Sequence, residues 1–119
     1  MMARILIVED EPDVRTLSKN LLEILGHTVD DVGSGERAMI MVRAQHYDVV
    51  LSDIGLPGMD GWAVAQNVKQ VSPQTKVGLV SGWEIPPQPE RLRAQGVDFL
   101  VPKPFGLDEI EEALARYFP

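Results

Sequence analysis

Short apolar runs alternate with segments of helical periodicity along the chain. The runs are Ile5–Val8, Thr28–Val32, Val49–Leu51, Val77–Val80 and Phe99–Val101. Thr28–Val32 is the most polar of them. Most are β-branched and nearly continuous, the pattern of strands covered on both faces. Between them, "DVRTLSKNLLEILG" sets Val14, Leu17, Leu21, Leu22 and Leu25 on one helical face, with Gly26 placed to end the helix. "SGERAMIMVRAQ" starts at a cap-forming Ser34, and "WAVAQNVKQV" carries Ala65, Val68 and Val71 before Ser72-Pro73 stops it. "PERLRAQG" makes a short fourth helix. In "LDEIEEALARYF", Ile110, Ala113, Leu114 and Tyr117 share a stripe, and the acids stand in the first turn where the helix dipole favours them. Strand–helix alternation repeated in this way predicts an α/β domain with a five-stranded parallel sheet and helices on both faces. Right-handed crossovers then leave a crevice at the carboxyl ends of the strands.

A chain of 119 residues suits one domain, so residues 1–119 are expected to form a single unit without a second module. Hydrophobic residues at 45% and charged residues at 24% fit an ordinary globule. The absence of cysteine excludes disulfides and thiolate metal sites. Apolar runs are too short for a membrane span or a signal peptide core, which makes a cytoplasmic location the expectation and a membrane partner unexpected. The net charge of −7, with Lys and Arg scattered, argues against direct binding of nucleic acid.

The acids are not scattered. Glu9, Asp10 and Glu11 follow the first strand directly. At ~4 Å and an effective dielectric near 20, each adjacent pair of charges costs roughly 4 kcal/mol before relaxation. Asp53 follows the third strand, Ser81 the fourth and Lys103 the fifth. The sheet topology brings these positions to one edge. Clustered hard oxygen ligands suit Mg²⁺, which takes one or two carboxylates, several waters and a phosphate oxygen. A carboxylate beside that ion is a nucleophile toward phosphorus, while an ammonium and a hydroxyl stabilise charge on the phosphoryl oxygens. Taken singly, each residue has an ordinary explanation as a helix-start acid, a cap, a surface lysine or a loop hydroxyl. Their joint placement is what points to a site. His27 and His46 fall in turns and are expected to face solvent, and Met39 and Met41 are expected to pack against or flank a helix.

The motifs "ILIVEDE", "DVVLSDIGLPGMDG", "LVSG" and "GVDFLVPKPF", in this order at successive strand ends, resemble the response-regulator receiver domain of two-component signalling. The likeness runs from about Arg4 to Tyr117. It implies the flavodoxin-like (βα)5 fold and a phosphoacceptor switch, with Asp53 accepting the phosphoryl group. It further implies that Asp10, Asp53 and the Gly55 carbonyl hold Mg²⁺, with Glu9 acting through water. Lys103 would contact the phosphoryl oxygens and Ser81 would close on them. The implied partners are a histidine kinase or phosphotransfer protein, and a downstream target or an output domain not seen in this sequence. Such a domain catalyses its own phosphorylation and dephosphorylation and is not otherwise an enzyme. The Lys103–Pro104 bond is typically cis in the family.

The chain departs from the family pattern in three places. Leu100 stands where an aromatic switch residue is common, and strand alternation sends neighbouring Phe99 to the opposite face. Trp83 lies two residues past Ser81, where it would limit the approach of water to the acceptor. Pro86, Pro87 and Pro89 stiffen the loop before the fourth helix. Other readings fit less well. Gly33-x-Gly35-x-x-Ala38 formally matches a dinucleotide fingerprint but follows the second strand, and turn and cap duty explains it better. An aspartyl phosphohydrolase resembles a pattern with a second Asp where Gly55 stands, and no P-loop motif is present. The alternative from a different class is a phosphorylation-independent interaction module that keeps the fold and not the chemistry.

Overall fold

The computed structural model describes residues 2–82, 88–103 and 105–117. Among the described residues, ten elements alternate in chain order: β1 (Arg4–Val8), α1 (Pro12–Ile24), β2 (Thr28–Val32), α2 (Gly35–Ala44), β3 (Val49–Asp53), α3 (Gly61–Val71), β4 (Lys76–Ser81), α4 (Pro89–Ala94), β5 (Phe99–Pro102) and α5 (Leu107–Tyr117). The sheet is fully parallel in the order β2-β1-β3-β4-β5, so β1 and β3 lie side by side at its centre. The chain winds outward from β1 to β2 on one side and through β3, β4 and β5 on the other. That reversal opens the crevice at the carboxyl ends of β1 and β3.

Strand alternation divides the apolar residues between two cores. Leu6, Val8, Val50, Val77 and Leu79 face α2, α3 and α4, where they meet Ala38, Val42, Val64, Val68 and Leu92. Ile5, Ile7, Val49, Leu51, Val80 and Val101 face the other way, against Leu22, Ile110 and Leu114. Phe99 belongs to this second core, while half-buried Leu100 packs against the first, as period-2 geometry requires. Register then sets the crevice. Val8 pairs with Ser52, Asp53 with Val80, and Ser81 with Pro102, so the strands end nearly level.

Helix starts follow the sequence signals. Ser34 Oγ accepts the Arg37 N–H at 3.2 Å, Asp60 Oδ1 accepts the Ala63 N–H at 2.9 Å, and Pro12 opens α1. Gly26 turns out of α1 at a φ of 95°, which favours glycine. Among the described residues, no helix is long and apolar enough to cross a membrane.

Three expectations need correction. On α1 only Leu22 of the apolar stripe is fully buried. Leu21 and Leu25 are half-buried, and Val14 and Leu17 are exposed because the start of α1 stands off from the sheet above a groove. Val71, at the last turn of α3, is also exposed, beyond the edge of the core that holds Ala65 and Val68. His27 is buried rather than solvent-facing, and its Nδ1 accepts the Ala3 N–H at 3.0 Å. The N–H of Ala3, itself buried at the entrance to β1, finds its acceptor in that imidazole. His46 is exposed as expected. Trp83, Pro86, Pro87, the Lys103–Pro104 bond and the Tyr117 side chain fall outside the described residues or side chains.

Burial, and then the N-terminal charge, hold the His27 imidazole below its ordinary pKa. Protonation would also convert Nδ1 from acceptor to donor. A base with a lowered folded pKa contributes full stability above its unfolded value of 6.5 and loses it as the pH falls below that value. His27→Asn keeps an acceptor near the same place and does not titrate. Between pH 7 and pH 5, urea unfolding of the wild type should lose about 1 kcal/mol more stability than this variant. Parallel pH curves would show that His27 carries no such linkage.

Candidate functional site

The carboxyl edge of the sheet gathers the acids. Glu9 directly follows β1. Its N–H donates to Val32 O at 3.1 Å, and its carbonyl accepts Arg15 Nη1 at 2.9 Å. The backbone is thus pinned between β2 and α1, and the buried side chain turns inward. Glu9 Oε2 accepts the Glu11 N–H at 3.1 Å, which uses a donor at the start of α1 to hold one oxygen. Asp53 ends β3 with its side chain only 15% exposed, and its Oδ1 accepts the Ile54 N–H at 3.0 Å. Ligand oxygens of Glu9, Asp10 and Asp53 lie within 4.8 Å of one another.

Lys103 supplies the countercharge. Its Nζ stands 2.9 Å from Asp53 Oδ1 and 3.8 Å from Glu9 Oε1. The main chain holds it there through its N–H, which donates to Ser81 O at 2.8 Å, so the ends of β4 and β5 are tied together where the ammonium reaches across. Electrostatics follow from this geometry. Burial pushes the Glu9 carboxyl above its usual range. The Glu11 N–H opposes that shift, Asp10 and then Asp53 reinforce it, and Lys103 opposes it. For Lys103, burial alone would lower the pKa. The bond to Asp53, then the charges of Asp53, Glu9 and Asp10, outweigh it and raise the ammonium above its usual value. The cluster is therefore anionic in excess of its lysine, the condition that favours uptake of a cation.

Ser81 ends β4 beside β5, one residue beyond the Val80 that pairs with Asp53, and it is buried. Gly55 lies in the loop after β3. It is exposed, and a Cβ built there would meet nothing within 4 Å. The residues expected from the sequence thus collect at one edge, with Glu9, Asp53 and Lys103 in direct contact and Ser81 and Gly55 on the flanking strand end and loop. Sequence reasoning missed the supporting groups: the Glu11 and Ile54 N–H donors and the Arg15 clamp. Backbone donors leave no trace in residue identity, and Arg15 reads as one more polar position on an amphipathic helix. It also missed the groove of about 410 Å³ that opens beside Asp53, lined by Val14, Leu17, Leu21, Leu51, Val80 and Phe105 with Glu9 and Lys103 at its polar end.

A half-buried carboxylate at the end of β3, flanked by acids that follow β1 and an ammonium that follows β5, marks the candidate site of this α/β domain. Residues 5–115 match the family described as the response regulator receiver domain, and the chain belongs to that family, the phosphoacceptor switch of two-component signalling. The chain is 36% identical over 107 residues to the transcriptional regulatory protein TcrA of Mycobacterium tuberculosis, covering 90% of this chain and 42% of that protein. It is 32% identical over 113 residues to the sensor histidine kinase RcsC of Escherichia coli, covering 95% of this chain and 12% of that protein. The chain therefore spans less than half the length of either relative. Among solved structures, the response regulator TrrA of Thermotoga maritima, in complex with Mg²⁺ and BeF, superposes with a TM-score of 0.81 at 31% identity, covering 95% of this chain and 96% of that one.

Removing the ammonium leaves three acids facing one another. Lys103→Met should lower stability in urea by about 1 kcal/mol at pH 7 without divalent cations, a modest value because water screens a side chain that is 38% exposed. The deficit should shrink in mild acid as Glu9, with its raised pKa, takes up a proton. A variant as stable as the wild type at pH 7 would show that Lys103 does not balance the cluster.

Proposed function

We propose that Asp53 is the phosphoacceptor of this chain, and that Asp10, Asp53 and the Gly55 carbonyl hold Mg²⁺, with Glu9 acting through water. The observation that carries this reading is the Lys103–Asp53 contact at 2.9 Å inside a group of three carboxylates. Hard carboxylate oxygens in this number suit Mg²⁺, and the TrrA structure is a complex with Mg²⁺ and BeF. When bound, Mg²⁺ neutralises charge on the acceptor and on the incoming phosphoryl oxygens.

The chain's own residues account for the rest. Oδ1 of Asp53 is held by Ile54 N–H and Lys103 Nζ, which leaves Oδ2 to attack. An Oδ2 lone pair forms the O–P bond as the N–P bond of a phosphohistidine breaks. The departing imidazole keeps the electron pair and takes a proton from solvent. Lys103, already aimed at the acceptor, then donates to the phosphoryl oxygens, and the Ser81 hydroxyl closes on them from the end of β4. Displacement at the ends of β4 and β5 passes to the face formed by α4, β5 and α5. With half-buried Leu100 packed against the core, the signal travels from Ser81 through Leu100 packing or a loop shift rather than by an aromatic swing. The domain acts on itself and has no separate substrate to turn over.

The donor is a histidine kinase or phosphotransfer protein. Exposed Val14 and Leu17, at the groove beside Asp53, offer an apolar surface for it. Leu17→Asp should slow transfer from a phosphohistidine protein roughly tenfold and leave the rate with acetyl phosphate unchanged. Equal slowing with both donors would place the defect in the acceptor and not in docking.

The direct test is incubation with Mg²⁺ and acetyl phosphate followed by intact mass measurement. Wild type should gain one phosphoryl group, and Asp53→Asn should gain none. Phosphoryl uptake by the Asn variant would remove Asp53 from the role. Failure of the wild type both to take up a phosphoryl group and to bind Mg²⁺ would turn the reading toward an interaction module, whereas Mg²⁺ binding without uptake would point to a site that needs its own kinase.

A further inference from the structure

The loop of residues 54–60 carries Gly55, yet its far half is secured by a helix that takes no other part in the site. Met59 donates its N–H to Glu36 Oε1, in the first turn of α2, at 3.1 Å. Gly58 bends toward that carboxylate at a φ of +74°, and a Cβ there would lie 2.9 Å from Glu36 Oε1. Gly35 lets the two segments approach, since a Cβ on it would stand 2.9 Å from Met59 O. At the near half, Ile54 N–H binds Asp53, Leu56 is buried and Gly61 N–H closes onto Ile54 O at 3.0 Å. Gly55 sits exposed within this frame. The described loop is thus fixed to the sheet at one end and to α2 through Glu36 at the other.

Resting on the assignment of Asp53 and Gly55 above, we propose that Glu36 is a positioning residue for the metal side of the site. Its carboxylate fixes the loop so that the Gly55 carbonyl is presented to the cation without reorganisation on binding. The role needs an acceptor oxygen at this place and not a charge near the metal. Releasing Met59 adds conformations to the loop that must be lost when the cation binds, which weakens metal affinity while leaving the filled site intact.

The test compares Glu36→Ala, Glu36→Gln and wild type. In the metal-free proteins, amide exchange of Met59 is followed by NMR. In the same proteins, the Mg²⁺ concentration giving half-maximal phosphoryl uptake from acetyl phosphate is measured. Glu36→Ala should speed Met59 exchange and raise the half-saturating Mg²⁺ roughly fivefold, the equivalent of one lost hydrogen bond, with the Mg²⁺-saturated rate unchanged. Glu36→Gln, which keeps an acceptor oxygen, should behave as wild type in both measurements. Faster Met59 exchange with an unchanged Mg²⁺ requirement would overturn the positioning role, and so would a Gln variant as impaired as Ala. A wild type that binds no Mg²⁺ would overturn the underlying assignment as well. A wild type that binds it, with Glu36→Ala identical, would sink the Glu36 role alone.

Discussion

The ion pair between Lys103 and Asp53 is the constraint around which the rest of the domain is arranged. An ammonium just past the last strand reaches a carboxylate at the end of the central one, while Glu9 and Asp10, just past β1, crowd the same space. Three acids near one lysine do not balance. Burial first, and the neighbouring acids after it, raise the pKa of Glu9, while the bond to Asp53 and the surrounding acids outweigh burial and raise that of Lys103. A site with this residual negative charge is receptive to a divalent ion.

Holding such a cluster requires rigid support, and the sheet supplies it. β1 and β3 are covered on both faces by apolar residues that pack into two separate cores. Their carboxyl ends have little freedom to spread under repulsion. Backbone N–H groups of Glu11 and Ile54 hold one oxygen each on Glu9 and Asp53, which fixes the side chains without introducing further charge. At the opposite end of the strands the polar groups serve stability instead. Tyr47 is buried with its hydroxyl donating to Asp30 at 2.6 Å, and burial followed by that neighbour pushes its pKa up to about 12. The two ends of one sheet thus use charge for different purposes.

Much of this was legible in the residues. The apolar runs marked each described strand of the sheet, and acids at their ends marked the cluster now seen at its carboxyl edge, because burial and charge are both written in residue type. Ser34 read correctly as a cap, and Phe99 and Leu100 separated to opposite faces by strand geometry alone. What escaped depended on distances between elements. A helical stripe shows which residues lie in line and not how closely the helix approaches the sheet, so Val14 and Leu17 read as core although they line a groove. His27 looked like a turn residue because nothing in its neighbours shows that the Ala3 N–H needs an acceptor. The hold of Glu36 on Met59 joins residues 23 positions apart through a backbone N–H, which no side-chain pattern reveals.

The measurement that bears most directly on the account is calorimetric titration of Mg²⁺ into the metal-free protein beside Asp10→Asn, with no phosphodonor present. If the acids are held together to receive a cation, the wild type should bind one Mg²⁺ per chain, and Asp10→Asn should bind at least tenfold more weakly, about 1.4 kcal/mol. Equal binding by the two proteins, or none by the wild type, would mean that the cluster at the end of β1 exists for some other reason.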